Sequence, residues 1–358
     1  MSLTAISLFT GAMGLDLGFE KKGFEIRAAV DNHPAVFDTI RANRPLIPII
    51  NEDIRQVSAH AILKKAGLQK AEPTVVIGGP PCQPFSTAGR RLSLCDERGA
   101  LVFEFIRIVR QIKPMFFVFE NVPGLRSATL KHISFYERAE KKPHEIQEES
   151  RLGKAFALLL KKFRRTGYRL TVEILNAADY GAPQKRRRLF IMGSRDGQLL
   201  DIRETKRGCT TLRDALKGLD DAEPEFLPFP PWGAYLKYVP PGGDWRDLPP
   251  KIQKEAMGRA FFSQGGRTGF FRRLHWDRPV PTLVSSPIRK ATCLAHPDEI
   301  RPLSIKEYSA IQGFPKSWKF SGSTEEKYQM IGNAVPLHLS MVVSKTIKSA
   351  AVDGEVSR

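Results

Sequence analysis

Cysteine is scarce in this sequence: only four of 358 residues are cysteine, Cys82, Cys95, Cys209 and Cys293, and no two form a C-x-x-C pair. That spacing excludes the familiar thiolate zinc sites, so no metal is expected. A chain of this length also needs no disulfide framework to hold a core, which fits a reducing cytoplasm. Long apolar runs are missing too. Nothing approaches the roughly 20 consecutive apolar residues of a membrane-spanning helix, and no membrane role is expected. The apolar opening from Met1 to Gly18 lacks the marks of a secretory leader, because no basic residue precedes Lys21 and Asp16 interrupts the run. Acidic residues are outnumbered, 38 against 56 basic ones, for a formal net charge of +18. An excess of this size favours polyanionic partners, since cations that neutralise phosphates release condensed counterions. Nucleic acid is the leading candidate.

What is present organises into two parts. Short β-rich runs at Ile6–Phe9, Ile26–Val30, Thr74–Ile77 and Phe116–Phe119 alternate with helical patterns at Pro34–Arg44, Val57–Lys65 and Leu101–Gln111. This alternation predicts βαβ units and a parallel, doubly wound sheet. A polar insertion around Ala139–Arg151 precedes a helix over Leu152–Arg165 and strands at Leu170–Leu175 and Leu189–Met192, completing a Rossmann-like α/β lobe. From Ser194 to about Thr282 the chain turns rich in Pro, Gly and aromatic residues with little periodicity, which predicts a smaller, irregular domain. Order returns at Ser304–Gln312, a capped helix, and at Pro336, which opens a final helix to about Ala350. The expected division is a catalytic domain over 1–195, completed by 325–358, around a second domain over 196–324.

Three strand ends carry the chemistry. The first strand runs into Phe9-Thr10-Gly11-Ala12-Met13-Gly14-Leu15-Asp16-Leu17-Gly18, a turn that lets backbone approach a ligand closely and then opens a helix. Asp31 ends the next strand, where an acid commonly binds ribose hydroxyls, and Asp53 follows the third apolar run, placed to accept from an adenine amine. Glycines and two acids imply an adenosine-containing cofactor, without separating NAD from S-adenosylmethionine. The strand over Thr74–Ile77 ends in Gly78-Gly79-Pro80-Pro81-Cys82-Gln83-Pro84-Phe85-Ser86. Flanking prolines hold Cys82 on a rigid loop at the carboxyl end of a parallel strand, where ligands bind in open α/β sheets, so a nucleophilic thiolate is expected. The next strand ends in Glu120-Asn121-Val122, and a carboxyl on an apolar strand end should have a raised pKa and share a proton with a bound base. In Gln184-Lys185-Arg186-Arg187-Arg188, alternation lets Arg186 and Arg188 reach inward while Lys185 and Arg187 face solvent or phosphate.

Together these residues resemble the DNA (cytosine-5) methyltransferases of restriction–modification or phage type, over nearly the whole chain and in the family's unpermuted order. The resemblance continues through Arg301-Pro302-Leu303-Ser304, Gln312-Gly313-Phe314-Pro315 and Gly332-Asn333-Ala334-Val335-Pro336. It implies a Rossmann-like S-adenosylmethionine-dependent fold with an irregular target-recognition domain. It implies that Cys82 attacks carbon 6 of a flipped-out cytosine, that Glu120 hydrogen-bonds or protonates ring nitrogen 3, and that Arg188, supported by Arg186, holds the base carbonyl. Phe9, Gly11, Gly14, Asp31, Asp53, Ile54, Pro80, Asn333 and Ala334 would line the S-adenosylmethionine pocket.

The loop from Ser86, with Arg90 and Arg91, would close over the flipped base and hold phosphates; Arg267, Arg272 and Arg273 are candidates for DNA contact. One departure is Met13, where the family carries glycine; a side chain there is expected to hold the backbone away from the methionine end of the cofactor and lower its affinity. The expected protein is a monomer acting on a short duplex DNA site, and a separately acting cognate restriction endonuclease is the partner this reading admits. Two rivals stand beside it: a tRNA cytosine-5 methyltransferase, because a branch of the family acts on RNA, and a DNA-binding regulator of the same fold without catalysis.

Overall fold

Seven strands form one twisted sheet in the computed structural model, which describes residues 2–81, 97–131, 133, 137, 140–142, 145–203, 207–262 and 269–356. In chain order the strands are β1 (Leu3–Leu8), β2 (Phe24–Val30), β3 (Ile49–Ile50), β4 (Val75–Gly78), β5 (Phe116–Asn121), β6 (Arg169–Asn176), β7 (Gln184–Lys185), β8 (Arg187–Ser194) and β9 (Val280–Pro281). The large sheet runs β3-β2-β1-β4-β5-β8-β6, while β7 and β9 make a separate pair. Strands β1 to β5 are mutually parallel, and β8 alone runs antiparallel to both its neighbours, β5 and β6.

The helices follow the alternation: α1 (Gly14–Lys21), α2 (Pro34–Asn43), α3 (Ala59–Ala66), α4 (Glu97–Ile112) and α5 (Lys154–Arg164) come between strands, and α6 (Leu212–Leu216) and α7 (Pro250–Met257) lie beyond the sheet. The chain ends with α8 (Ile305–Gln312), α9 (Thr324–Asn333) and α10 (Leu337–Val356). Alternate strand residues serve opposite faces, as the pleat requires. Ala5, Val75, Ile77, Val118 and Phe190 join one core with α1, α2 and α10. Ile6, Leu8, Val76, Phe119 and Leu189 join another with α3, α4 and α5. The near-continuous apolar runs of β4 and β5 are therefore those of strands buried on both sides.

The irregular region has a core of its own, in which Leu236, Val239, Leu248, Met257, Phe271 and Cys293 are buried together. Proline and glycine explain its short 3-10 turns, Pro231–Tyr238 and Trp245–Asp247 among them. Helix α9 was not expected from periodicity. Its capping box is nonetheless written in the sequence, with the Ser323 hydroxyl accepting from the Glu326 amide and the Glu326 carboxylate accepting from the Ser323 amide. No helix among the described residues is long and apolar enough to cross a membrane.

Candidate active site

The site is built where the parallel strands end. Beyond β1 the chain makes a tight turn in which Phe9, Gly11 and Met13 all take positive φ, 54°, 52° and 66°. Two non-glycine residues in that region are strained, and the turn is held by partners outside it. The Gly11 amide donates to Asp31 Oδ2 at 2.9 Å and the His33 amide to Asp31 Oδ1 at 3.0 Å, so the acid ending β2 also clamps the β1 turn. Burial raises the Asp31 pKa against the pull of those amides. Met13 directs its side chain wholly into the core rather than onto the site. Gly14 is set by packing: a Cβ there would stand 2.6 Å from the Val335 carbonyl. Asp53 forms an ion pair with Arg55 at 2.7 Å, which holds its carboxyl below the ordinary range.

Antiparallel β8 explains how Arg188, at the start of its strand, reaches Glu120, near the end of its own. Glu120 pairs with Phe190, so Arg188 is its diagonal neighbour on the same face. Arg188 Nε lies 2.8 Å from Glu120 Oε1, with each side chain only 9% exposed. Burial raises the Glu120 pKa; the charges of Arg188 and Arg186 lower it without cancelling that effect. The Asn121 side-chain amide donates to the Pro80 carbonyl at 3.1 Å, tying the end of β5 to the chain that leads into Cys82.

Arg186 is fully buried and serves a different place. Its guanidinium donates to the carbonyls of Leu283 at 2.8 Å, Gly332 at 2.6 Å and Ala334 at 3.1 Å. Gln312 donates to Ile331 and Ala334 at 2.6 and 3.0 Å, and itself accepts from Gln184. These side chains fasten the segment that carries Asn333 and Ala334 against the sheet edge. Lys185 and Arg187, alternating with them, are exposed.

A cavity of about 350 Å³ opens at this edge. Every residue expected to hold the cofactor lines it, from Phe9, Gly11 and Gly14 through Asp31, Asp53, Ile54 and Pro80 to Asn333 and Ala334, and so do Glu120 and Arg188. Arg186 does not. Cys82, Ser86, Arg90, Arg91 and Arg267 lie outside the described residues; Pro80 and Pro81, which lead to Cys82, are on the cavity wall. Arg272 and Arg273 stand away from the cavity, half-buried in the irregular region, where Arg273 donates to the Val239 carbonyl at 3.0 Å.

One wall residue was missed. Asp16, in the first turn of α1, is 1% exposed and neither of its oxygens has a hydrogen-bond partner among the described residues. Burial pushes its pKa up to about 7; the nearby Ser7 hydroxyl opposes this without reaching hydrogen-bonding geometry. In the sequence it reads as an acid interrupting an apolar run, and a charge inside such a run is the signal that could have singled it out.

The family described as C-5 cytosine-specific DNA methylase matches residues 3–221 and 250–349. Among individual proteins, the chain is 38% identical to the type II methyltransferase M.PspPI of Psychrobacter sp., over 97% of this chain and 79% of that one. It is also 38% identical to the type II methyltransferase M.Eco47II of Escherichia coli, over 96% and 78%. Among solved structures it superposes on a candidate DNA modification methyltransferase encoded within an E. coli prophage with a TM-score of 0.68 at 23% identity, covering 98% of this chain and 100% of that one. A variant of Spodoptera frugiperda DNMT2 superposes with a TM-score of 0.58 at 17% identity, covering 97% and 100%. These structures share the fold.

Proposed function

The chain belongs to the C-5 cytosine-specific DNA methylases and is a DNA (cytosine-5) methyltransferase; on that premise we propose that it uses S-adenosylmethionine to methylate a flipped-out cytosine through a covalent Cys82 adduct. The observation that carries this reading is the shared cavity, where the acids for an adenosine and the Glu120–Arg188 pair for a base stand at one sheet edge. Its residues fit the cofactor. Asp31 suits ribose hydroxyls, Asp53 suits the adenine amine, and the unpartnered Asp16 suits a cationic ligand. The volume is in the range of small-molecule sites, about 300–1,000 Å³. When bound, the cofactor supplies the methyl group as an electrophile.

The protein's own groups do the rest. In a duplex both faces of the cytosine ring are stacked, so the nucleotide must leave the helix, at a cost of a few kcal/mol. The Cys82 thiolate forms a bond to carbon 6, and the displaced electron pair is shared between carbon 5 and nitrogen 3. Glu120, buried and with its pKa raised, donates a proton to nitrogen 3. Arg188 offsets the charge on the base carbonyl. Once carbon 5 carries the methyl group it loses its proton to a base, the carbon 6–sulfur bond breaks with its electron pair leaving on Cys82 as the thiolate, and nitrogen 3 returns its proton to Glu120, which restores both the neutral base and the acid. Arg186 supports the site indirectly, by bracing the segment that carries Asn333.

Residues 196–324 serve, in this reading, as the target-recognition domain, with Arg267, Arg272 and Arg273 as its candidates for DNA contact, and 325–358 complete the catalytic domain. Ser86, Arg90 and Arg91, outside the described residues, are assigned in this reading to the flipped nucleotide and its phosphates. The enzyme works in the cytoplasm as a monomer on a short duplex site, alongside any cognate endonuclease. Bisulfite sequencing of unmethylated DNA, treated with the protein and S-adenosylmethionine, tests this directly. Protected cytosines in one short context, absent with Cys82→Ser, are expected. Protection that survives in Cys82→Ser rejects the adduct, and methylation of tRNA but not of duplex DNA rejects the substrate.

A further inference from the structure

The buried and half-buried acids on the cavity wall are all engaged except one. Asp31 accepts from two backbone amides, Asp53 from Arg55, Glu120 from Arg188, and Glu326 from Ser323. Asp16 alone has no hydrogen-bond partner among the described residues, although it is 1% exposed. A buried carboxylate without a partner costs several kcal/mol, so it either keeps a proton or receives a cation.

Strand order says which part of a ligand would reach it. Asp31 and Asp53 follow β2 and β3 on one side of β1, while Glu120 and Arg188 stand on β5 and β8 on the other. With adenosine at the first pair and the base at the second, the remaining arm of the cofactor is its amino-acid end. What is left for that arm is the wall between α1 and the start of α10, where Gly14 packs on Val335 and Asp16 faces the cavity. That arm carries an α-ammonium.

The geometry points to Asp16 as the acceptor for the α-ammonium of the cofactor's amino-acid end, an inference that rests on the S-adenosylmethionine reading above. The raised pKa of the ligand-free carboxyl agrees with a group that waits for a cation. Its charged surroundings supply none: Glu20 on α1 is paired with Arg44 at 2.9 Å, and Asp31 at the end of β2 is acidic as well. From β1 it meets the Ser7 hydroxyl, and α10 sends Ser340 and Ser344 to carbonyls of α1.

Calorimetry on the full chain tests this with two ligands, S-adenosylhomocysteine and its analogue lacking the α-amino group. At about pH 8 the unmodified protein should bind S-adenosylhomocysteine about tenfold or more tightly than the analogue, the scale of one charge-assisted hydrogen bond. Asp16→Asn should remove that preference and bind the analogue unchanged. Equal weakening of both ligands, or a preference that survives in Asp16→Asn, overturns the assignment. If the variant does not fold, the unmodified protein decides alone: the preference should shrink at about pH 6, where the carboxyl keeps its proton, and a preference equal at both pH values overturns it. Binding of neither ligand to the unmodified protein would reject the cofactor reading itself, and this assignment with it.

Discussion

Arg188 Nε and Glu120 Oε1 are 2.8 Å apart where the reversed strand β8 meets the last of the mutually parallel strands, β5. Because β8 runs against β5, the first residues of one strand and the last of the other share an edge. A base bound there meets an acid and a cation at once. Burial outweighs both neighbouring arginines in setting the Glu120 pKa above the usual carboxylate range. A proton needed for catalysis is therefore retained to higher pH and lost as pH rises through that raised value. Glu120→Gln should lower methyl transfer by about 10²–10⁴-fold, the usual worth of a positioned acid, and remove the alkaline limb that Glu120 contributes to kcat/KM. S-adenosylhomocysteine affinity should stay within about twofold, less than 0.5 kcal/mol. A transfer rate equal to that of the unmodified enzyme would sink the role.

Gly79 sets the room that Glu120 occupies. A Cβ at this position would lie 2.6 Å from Glu120 Oε2, closer than such contacts occur, so Gly79→Ala must push the carboxylate aside. Misplacing a reacting group by about 1 Å can cost on the order of 100-fold. Single-turnover methyl transfer should fall by about that factor while the fold is kept. An unchanged rate would mean that Glu120 tolerates displacement, contrary to its proposed contact with the base.

Arg186 has become a brace rather than a wall of the cavity. Its three carbonyl acceptors come from residues 283, 332 and 334, far along the chain, so Arg186→Met should leave buried carbonyls unsatisfied in two separate segments. The expected loss is about 3–5 kcal/mol of stability, measured by urea unfolding, together with weaker S-adenosylhomocysteine binding through the loosened Asn333 segment. Arg186→Lys keeps the charge without the planar fork and should fall between. A stable Arg186→Met protein with normal binding would contradict the bracing role.

Met13 separates what the sequence makes legible from what it hides. The turn, the acids at Asp31 and Asp53 and the strand-end group at Glu120 follow from one rule, that ligands meet the carboxyl ends of parallel strands, and Arg188 follows from the alternation of side chains along an extended segment. Local spacing was enough for these. Distant packing was not: the Met13 side chain enters the core beneath the turn, and Arg186 is satisfied by carbonyls about a hundred or more residues away. Helix α9, with its polar Thr-Glu-Glu-Lys start, showed only in its capping box. Met13→Gly relieves a φ of 66°, roughly 1 kcal/mol, but removes a buried side chain worth about 2–5 kcal/mol. A net loss of about 1–4 kcal/mol is expected from these two magnitudes, with S-adenosylhomocysteine affinity unchanged. A tighter-binding Met13→Gly protein would restore the expectation that this side chain holds the backbone off the cofactor.

Asp16 should leave its mark on stability as well as on binding. Its pKa in the folded, ligand-free protein is pushed up to about 7 from an ordinary 3.8, so between those values the folded chain holds a proton that the unfolded chain has released. Stability then falls as pH rises from about 4 to about 7 and levels off above, where the folded state carries the full cost of a buried, unpaired charge. At roughly 1.4 kcal/mol per pKa unit the cost is on the order of a few kcal/mol. Asp16→Asn has nothing to ionise, so its melting temperature relative to the unmodified protein should rise across that window and stay higher at about pH 8. Saturating S-adenosylhomocysteine should narrow the gap at the alkaline end, because the ligand's ammonium partners the carboxylate in the unmodified protein alone. A melting difference that is flat with pH would mean that Asp16 is already satisfied inside the fold.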